Sequence, residues 1–199
     1  MLVEIRRGRP EDAQAAANLI LSAAEEVITD LFGDGCKSKA YKFLVHAWHH
    51  GRGQYGSEFH WVAQCESEVV GVITAWHTNL GREFDRATLD SITAFYDIDE
   101  SLDVLVKNQL ISAELTPPEG HEWMLGHVAV APTHRDKGVG RKLVATMYPL
   151  AKRFEKTSIV LDVHVKNVPA IRFYQRLGFQ EQQVNGQFIR FAKAVTSDM

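Results

Sequence analysis

The stretch from Trp123 to Leu177 constrains this chain most, because strand-like and helix-like patterns alternate along it with only short turns between them. Trp123 to Val130 is a hydrophobic run of strand length. Gly138 to Phe154 carries apolar residues at helical spacing, Ser158 to Val165 is again strand-like, and Asn167 to Leu177 is helical. A chain that alternates in this way folds as an α/β domain, a sheet covered by helices.

The rest of the sequence follows the same alternation. Val3 to Arg7 reads as a strand, and Arg9-Pro10-Glu11-Asp12 as a turn feeding a helix. Ala15, Ala16, Leu19, Ile20, Ala23, Val27 and Leu31 then recur at helical spacing, which predicts one helix ending near Gly33 and Gly35. A second helix is expected over Ser38 to His50. Phe59 to Cys65 and Val69 to His77 read as a hairpin around Glu66-Ser67-Glu68. Gly81 to about Leu115 is helical in pattern and stops before Pro117-Pro118. Phe179 to Gln183 and Gln187 to Ala194 predict two last strands around the turn Asn185-Gly186. No repeat, low-complexity tract or linker divides the chain, so residues 1–199 read as one domain.

Composition excludes several classes. With 45% hydrophobic residues the chain is not disordered, and 14 Gly with 6 Pro are far too few for a collagen-like sequence. No run reaches the about 18 apolar residues of a membrane span, and the N-terminus lacks the apolar core of a signal peptide. The expectation is a cytoplasmic protein without membrane partners. Cys36 and Cys65 form no CxxC motif and read as buried free thiols. The net charge of −3 argues against a nucleic-acid binder. His46 and His50 stand at i,i+4 spacing without the Glu of a metalloprotease helix, so no metal is implied.

Charge is unevenly spread. Residues 81–122 hold ten acidic and three basic residues, a net −7, and the remainder carries +4. Arg135, Lys137, Arg141, Lys142, Lys152, Arg153 and Lys156 cluster within 131–156. One region attracts cations and the other anions, provided that a site lies between them.

The segment Leu125-Gly-His-Val-Ala-Val-Ala-Pro-Thr-His-Arg-Asp-Lys-Gly-Val-Gly-Arg-Lys-Leu143 carries the chemistry. A strand runs through a short loop into Gly138-x-Gly140 at a helix start. The unpaired N–H groups and the dipole there make an anion site, and Arg135, Lys137 and Arg141 add positive charge. The segment reads as a pyrophosphate cradle. It is not the dinucleotide fingerprint, since Leu143 stands where the third Gly belongs, nor a Walker loop, whose Lys-Ser/Thr is absent.

Arg135-x-x-Gly138-x-Gly140 after Val128-Ala-Val-Ala-Pro132 resembles the acetyl-CoA-binding motif of the GCN5-related N-acetyltransferase (GNAT) superfamily. The stretch Leu161 to Phe179 resembles that family's other core motif in Asn167, Ala170, Tyr174, Gly178 and Phe179. The close resemblance covers about residues 124 to 180. It implies a mixed central sheet flanked by helices, with acetyl-CoA as co-substrate wedged between two parting strands. It further implies that the main chain of Val128, Ala129 and Val130 pairs with the pantetheine arm. The amides of Asp136, Lys137, Gly138, Val139, Gly140 and Arg141 hold the pyrophosphate, with Arg135 at the loop entrance. Asn167 caps the next helix or touches the cofactor, and Tyr174 protonates the departing thiolate.

The implied reaction is N-acetylation of a primary amine by direct attack, with backbone N–H near Val128 polarising the carbonyl. The first candidate for the base is Glu122, at the start of the strand, and the second is His127 on the strand itself. Several family members carry a Glu where this chain has Met124. The acidic segment 81–122 is expected to cover the acceptor side and to favour a small cationic amine, or to be a solvated lid or dimer surface. A protein lysine or N-terminal acetyltransferase and a non-catalytic acyl-CoA sensor are the alternatives, and a homodimer is a possible assembly.

Overall fold

Seven strands form one sheet in the structure, a computed structural model that describes residues 2–195. They are β1 (Val3–Arg7), β2 (His60–Cys65), β3 (Glu68–Trp76), β4 (Glu122–Val130), β5 (Ser158–His164), β6 (Gln180–Asn185) and β7 (Phe188–Ala194). Their order is β1-β2-β3-β4-β5-β7-β6, and every neighbouring pair is antiparallel except β4 with β5. The helices are α1 (Ala13–Ala23), α2 (Glu25–Gly33), α3 (Lys37–His50), α4 (Gly81–Thr93), α5 (Ile98–Ser112), α6 (Val139–Arg153) and α7 (Val168–Arg176). The parallel pair is joined by α6, the crossover that such a pair requires.

Two apolar clusters lie on the two faces of the sheet, because side chains alternate along each strand. On one face Val62, Val72 and Ala129 pack against α1, α2 and α3 through Ile20, Phe32, Phe43 and Trp48. On the other, Ala63, Ile73, Leu125, Ile159, Leu161 and Phe191 meet Leu143 and Met147 of α6 and Tyr174 of α7. The acidic segment joins the first face. Ile92, Tyr96 and Val104 enter that core, and the Tyr96 hydroxyl donates to the Phe32 carbonyl.

The first predicted helix is two helices. The chain breaks at Ala24 (φ −152°, ψ 62°), where no Gly or Pro marks the site and the apolar spacing runs on unbroken. Glu25 and Glu26 then open α2 with the negative charge that a helix start favours. The segment from Gly81 also divides, with Asp97 capping α5 through the Glu100 amide. Both cysteines are free thiols, but Cys36 is exposed rather than buried, since it stands at the N-cap of α3.

One buried guanidinium ties the closing strands together. Arg190 on β7 donates to Asp162 on β5 (2.9 Å), Glu122 on β4 (3.0 Å) and the Thr116 carbonyl at the end of the acidic segment (2.6 Å). Burial raises the Asp162 carboxyl above its usual range even though Arg190 pulls the other way. Removing the cation strands two carboxylates in the interior. Arg190→Leu should therefore lose about 3–5 kcal/mol in urea unfolding, the cost typical of breaking a buried ion pair from one side.

Candidate active site

β4 and β5 pair over three rungs only, Glu122 with Ser158, Trp123 with Ile159 and Met124 with Val160. Beyond Met124 both strands continue, β4 to Val130 and β5 to His164, with no further rung between them among the described residues. Meanwhile β4 stays paired to β3 as far as Val130 opposite Gly71. The Ala131 N–H donates to the Val70 carbonyl, so Gly71–Val130 is a non-hydrogen-bonded pair. The N–H and C=O of Val130 consequently point to the open edge. Of these, the carbonyl accepts from Arg135 Nε at 3.1 Å.

The open edge leads into the predicted cradle. A 3₁₀ turn over Pro132–His134 and two left-handed residues, Asp136 (φ 57°) and Gly138 (φ 80°), bring the chain to the start of α6. The first N–H groups of α6 have no carbonyl behind them in the helix. Arg135, Lys137 and Arg141 are exposed around them, whereas Val139 is buried and can offer only its backbone. The two glycines differ in purpose. Gly138 has open space where a Cβ would stand, so its backbone conformation is what requires Gly. A Cβ on Gly140 would lie 3.1 Å from the Phe173 ring, so that glycine lets α6 approach α7. Lys142, next in the helix, turns away to the Val3 carbonyl.

Asn167 is the N-cap of α7, its Oδ1 accepting the Ala170 amide at 3.2 Å. Tyr174 is buried among Phe173, Phe179 and Phe191. Phe191 is the register partner of Leu161, the first β5 residue past the last rung to β4, so Tyr174 stands where the strands part. Its hydroxyl has no hydrogen-bond partner among the described residues, and burial holds the phenol above its usual range.

Glu122 sits elsewhere. It occupies the first rung of the closed ladder, and Oε2 accepts both Arg190 Nη2 (3.0 Å) and the Glu119 amide (2.8 Å). The carboxylate expected to be a base is committed to holding the sheet together. His127, the second candidate, lies past the parting point in a β-bulge. Thr74 faces Gly126 and Val72 faces Ala129, leaving His127 and Val128 opposite the single Ile73. His127 has φ 48°, and its ring stacks on Tyr55 (4.9 Å, 25°).

Sequence reasoning missed the partner of His127. His60 Nε2 lies 3.3 Å from His127 Nδ1, and His60 Nδ1 lies 2.8 Å from the Gly56 carbonyl. Because 67 residues separate the two histidines, no spacing signal could have joined them. Burial lowers His60 to about 4, and partial burial together with the neighbouring His60 lowers His127 as well. Unfolded, each would protonate near the ordinary value of about 6.5. The unfolded chain thus binds more protons than the fold below that pH, and stability falls as pH drops from about 6.5 toward 4. His46 and His77, also lowered by burial, act in the same direction. Thermal unfolding should show a lower Tm at about pH 5 than at about pH 7.5, with a smaller drop in His127→Asn.

Residues 24–179 match the acetyltransferase (GNAT) family. An uncharacterised N-acetyltransferase of Methanocaldococcus jannaschii is 35% identical over 68 residues, 34% of this chain and 30% of that protein. The chain therefore matches under a third of that relative's length. An N-acetyltransferase structure from Staphylococcus aureus superposes with a TM-score of 0.75 at 15% identity, covering 96% of this chain and all of that one. The PaiA N-acetyltransferase of Thermoplasma acidophilum, solved in complex with coenzyme A, superposes at 0.57 with 14% identity over 98% of this chain and 99% of its own. Since the family matches residues 24–179, most of this chain, and the sheet with its parted strands is in place, this chain belongs to the GNAT acetyltransferase family.

Proposed function

We propose that the protein is an acetyl-CoA-dependent N-acetyltransferase that modifies a primary amine of a small cationic molecule, with both substrates held at once. The carrying observation is one continuous path: the open edge of β4, then the Arg135–Gly138 loop, then the N-terminus of α6. An extended amide-bearing arm can pair with the first, and a pyrophosphate suits the last. Acetyl-CoA has both parts and supplies an activated thioester.

Each residue then has a task. The main chain of Val128, Ala129 and Val130 lines the arm, and Val130 shares its carbonyl between the arm and Arg135. The amides from Asp136 to Arg141 receive the pyrophosphate, with Lys137 and Arg141 adding charge. Asn167 holds the start of α7, which carries Tyr174 to the parting point. From there the phenol, protonated at neutral pH, donates to the leaving sulfur. The acceptor enters from the other face, to whose core α4 and α5 contribute Ile92 and Val104.

Part of the acidic segment's charge is internally matched, since Glu122 meets Arg190 and Glu100 meets Lys39. Of its three bases, Lys107 is also occupied, by Asp30 of α2 and by Asp34 just after that helix. Glu83, Asp85, Asp90, Asp99 and Asp103 remain as the field that draws a cation. A second copy would find its contact on α5, where Ile98, Leu102, Val106 and Leu110 are exposed once per turn.

Calorimetry should show saturable binding of acetyl-CoA in the micromolar range and none of ATP or NAD. Tyr174→Phe should keep that affinity and lose about 10²–10⁴ in kcat for thiol release with a polyamine acceptor. Absence of acetyl-CoA binding at millimolar ligand would contradict the reading.

A further inference from the structure

An amine that attacks a thioester must give up a proton, and the side chains nearest the parted strands offer few places for it. Met124 has no base. Glu122 and Asp162 are both held by Arg190, and Glu122 also accepts the Glu119 amide. Tyr174 lies on the α6–α7 face, in the cluster with Val128 and Val130, where the leaving sulfur would sit. The opposite face carries His127, on the bulge and beside Tyr55.

The hydrogen-bond chain fixes the state of both imidazoles. A carbonyl only accepts, so His60 Nδ1 carries the proton that it shares with Gly56. A neutral His60 then has a bare Nε2, which must accept from His127 Nδ1–H. That leaves His127 Nε2 bare as well. The two rings are 7° from parallel with centroids 5.5 Å apart. That separation is the 3.3 Å hydrogen bond plus the two centroid-to-nitrogen radii, so the rings lie end to end in nearly one plane.

The far end of the chain is rigid too. A Cβ on Gly56 would stand 2.3 Å from the Gly51 carbonyl oxygen, and His60 is fully buried against Trp48. His127 is only partly buried, and its Nε2 has no hydrogen-bond partner among the described residues.

We infer that His127 Nε2 takes the proton of the attacking amine, and that His60 is a positioning residue that fixes the His127 tautomer through the Gly56 carbonyl. This rests on the acetyl-transfer reading above. The N–C bond forms as the C–S bond breaks. The amine nitrogen loses one proton to His127 Nε2, and the sulfur gains one from Tyr174. Exchange with water then deprotonates His127 and reprotonates Tyr174. A substrate that arrives as an ammonium ion releases its extra proton to water beforehand. The arrangement places the proton donor and the proton acceptor on opposite faces of the sheet, with the gap between β4 and β5 as the window that joins them.

Two measurements on the full chain test this. Nitrogen-15 NMR of the histidine side chains should find His127 and His60 both protonated at Nδ1 and bare at Nε2. Thiol release from acetyl-CoA is then followed with spermidine, and with p-anisidine, an arylamine that is neutral in neutral water and sheds its proton readily once bonded to carbon. His127→Asn suits the left-handed backbone at that position. It should lower kcat for spermidine about 10²-fold or more, with a much smaller loss for p-anisidine and unchanged affinity for acetyl-CoA. His60→Gln, which keeps a donor and an acceptor, should retain more activity than His60→Leu.

A His127 ring protonated at Nε2 overturns the inference, as does His127→Asn with wild-type kcat or with equal losses for both amines. Each of these leaves the transferase reading standing. A wild-type protein that binds no acetyl-CoA, or releases no thiol with either amine, overturns that reading and this inference with it.

Discussion

Three rungs between β4 and β5 are the constraint on which the rest depends. A parallel pair usually gains from every further rung, yet here two strands long enough to continue separate after Met124 and Val160. Arg190, in register with Asp162 two residues past the last rung, is a clamp that ties that residue to Glu122 on the first rung and to the Thr116 carbonyl. Past the last rung, β4 follows β3 instead. The bulge at His127 and Val128 adds a residue on that side and turns the strand's course. Clamp and bulge together leave one edge of β4 unpaired in the middle of a sheet, a position where open backbone groups are costly unless something pairs with them.

Much of the resulting site was legible in the sequence. The strand, loop and helix from Leu125 to Leu143 are local features, and local spacing reports them faithfully. Gly138 is needed for its left-handed backbone and Asn167 as a cap, both roles written in neighbouring residues. Long-range relations were not legible. Gly140 is required by the Phe173 ring of another helix, Glu122 by a guanidinium 68 residues away, and His127 by a histidine 67 residues before it. The break at Ala24 escaped for a different reason: the apolar spacing continues through it, and spacing reports which face is buried rather than whether the backbone is continuous.

The two faces of the sheet therefore carry different chemistry around one opening. On the α6–α7 side are exposed basic side chains, a helix start and a buried phenol. On the α1–α5 side are two neutral imidazoles aligned by a backbone carbonyl. An anionic, extended co-substrate suits the first, and the proposed amine acceptor would meet the second. The sequence already shows the charge asymmetry. The sheet puts the helices of the two regions on opposite faces.

The most direct measurement is amide hydrogen exchange at Val130 and at Gly138 to Arg141, with and without acetyl-CoA. The account predicts slowed exchange at those amides on binding, and unchanged exchange along β1. Binding that leaves Val130 and the start of α6 unprotected, or that protects the β1–β2 edge instead, would contradict it.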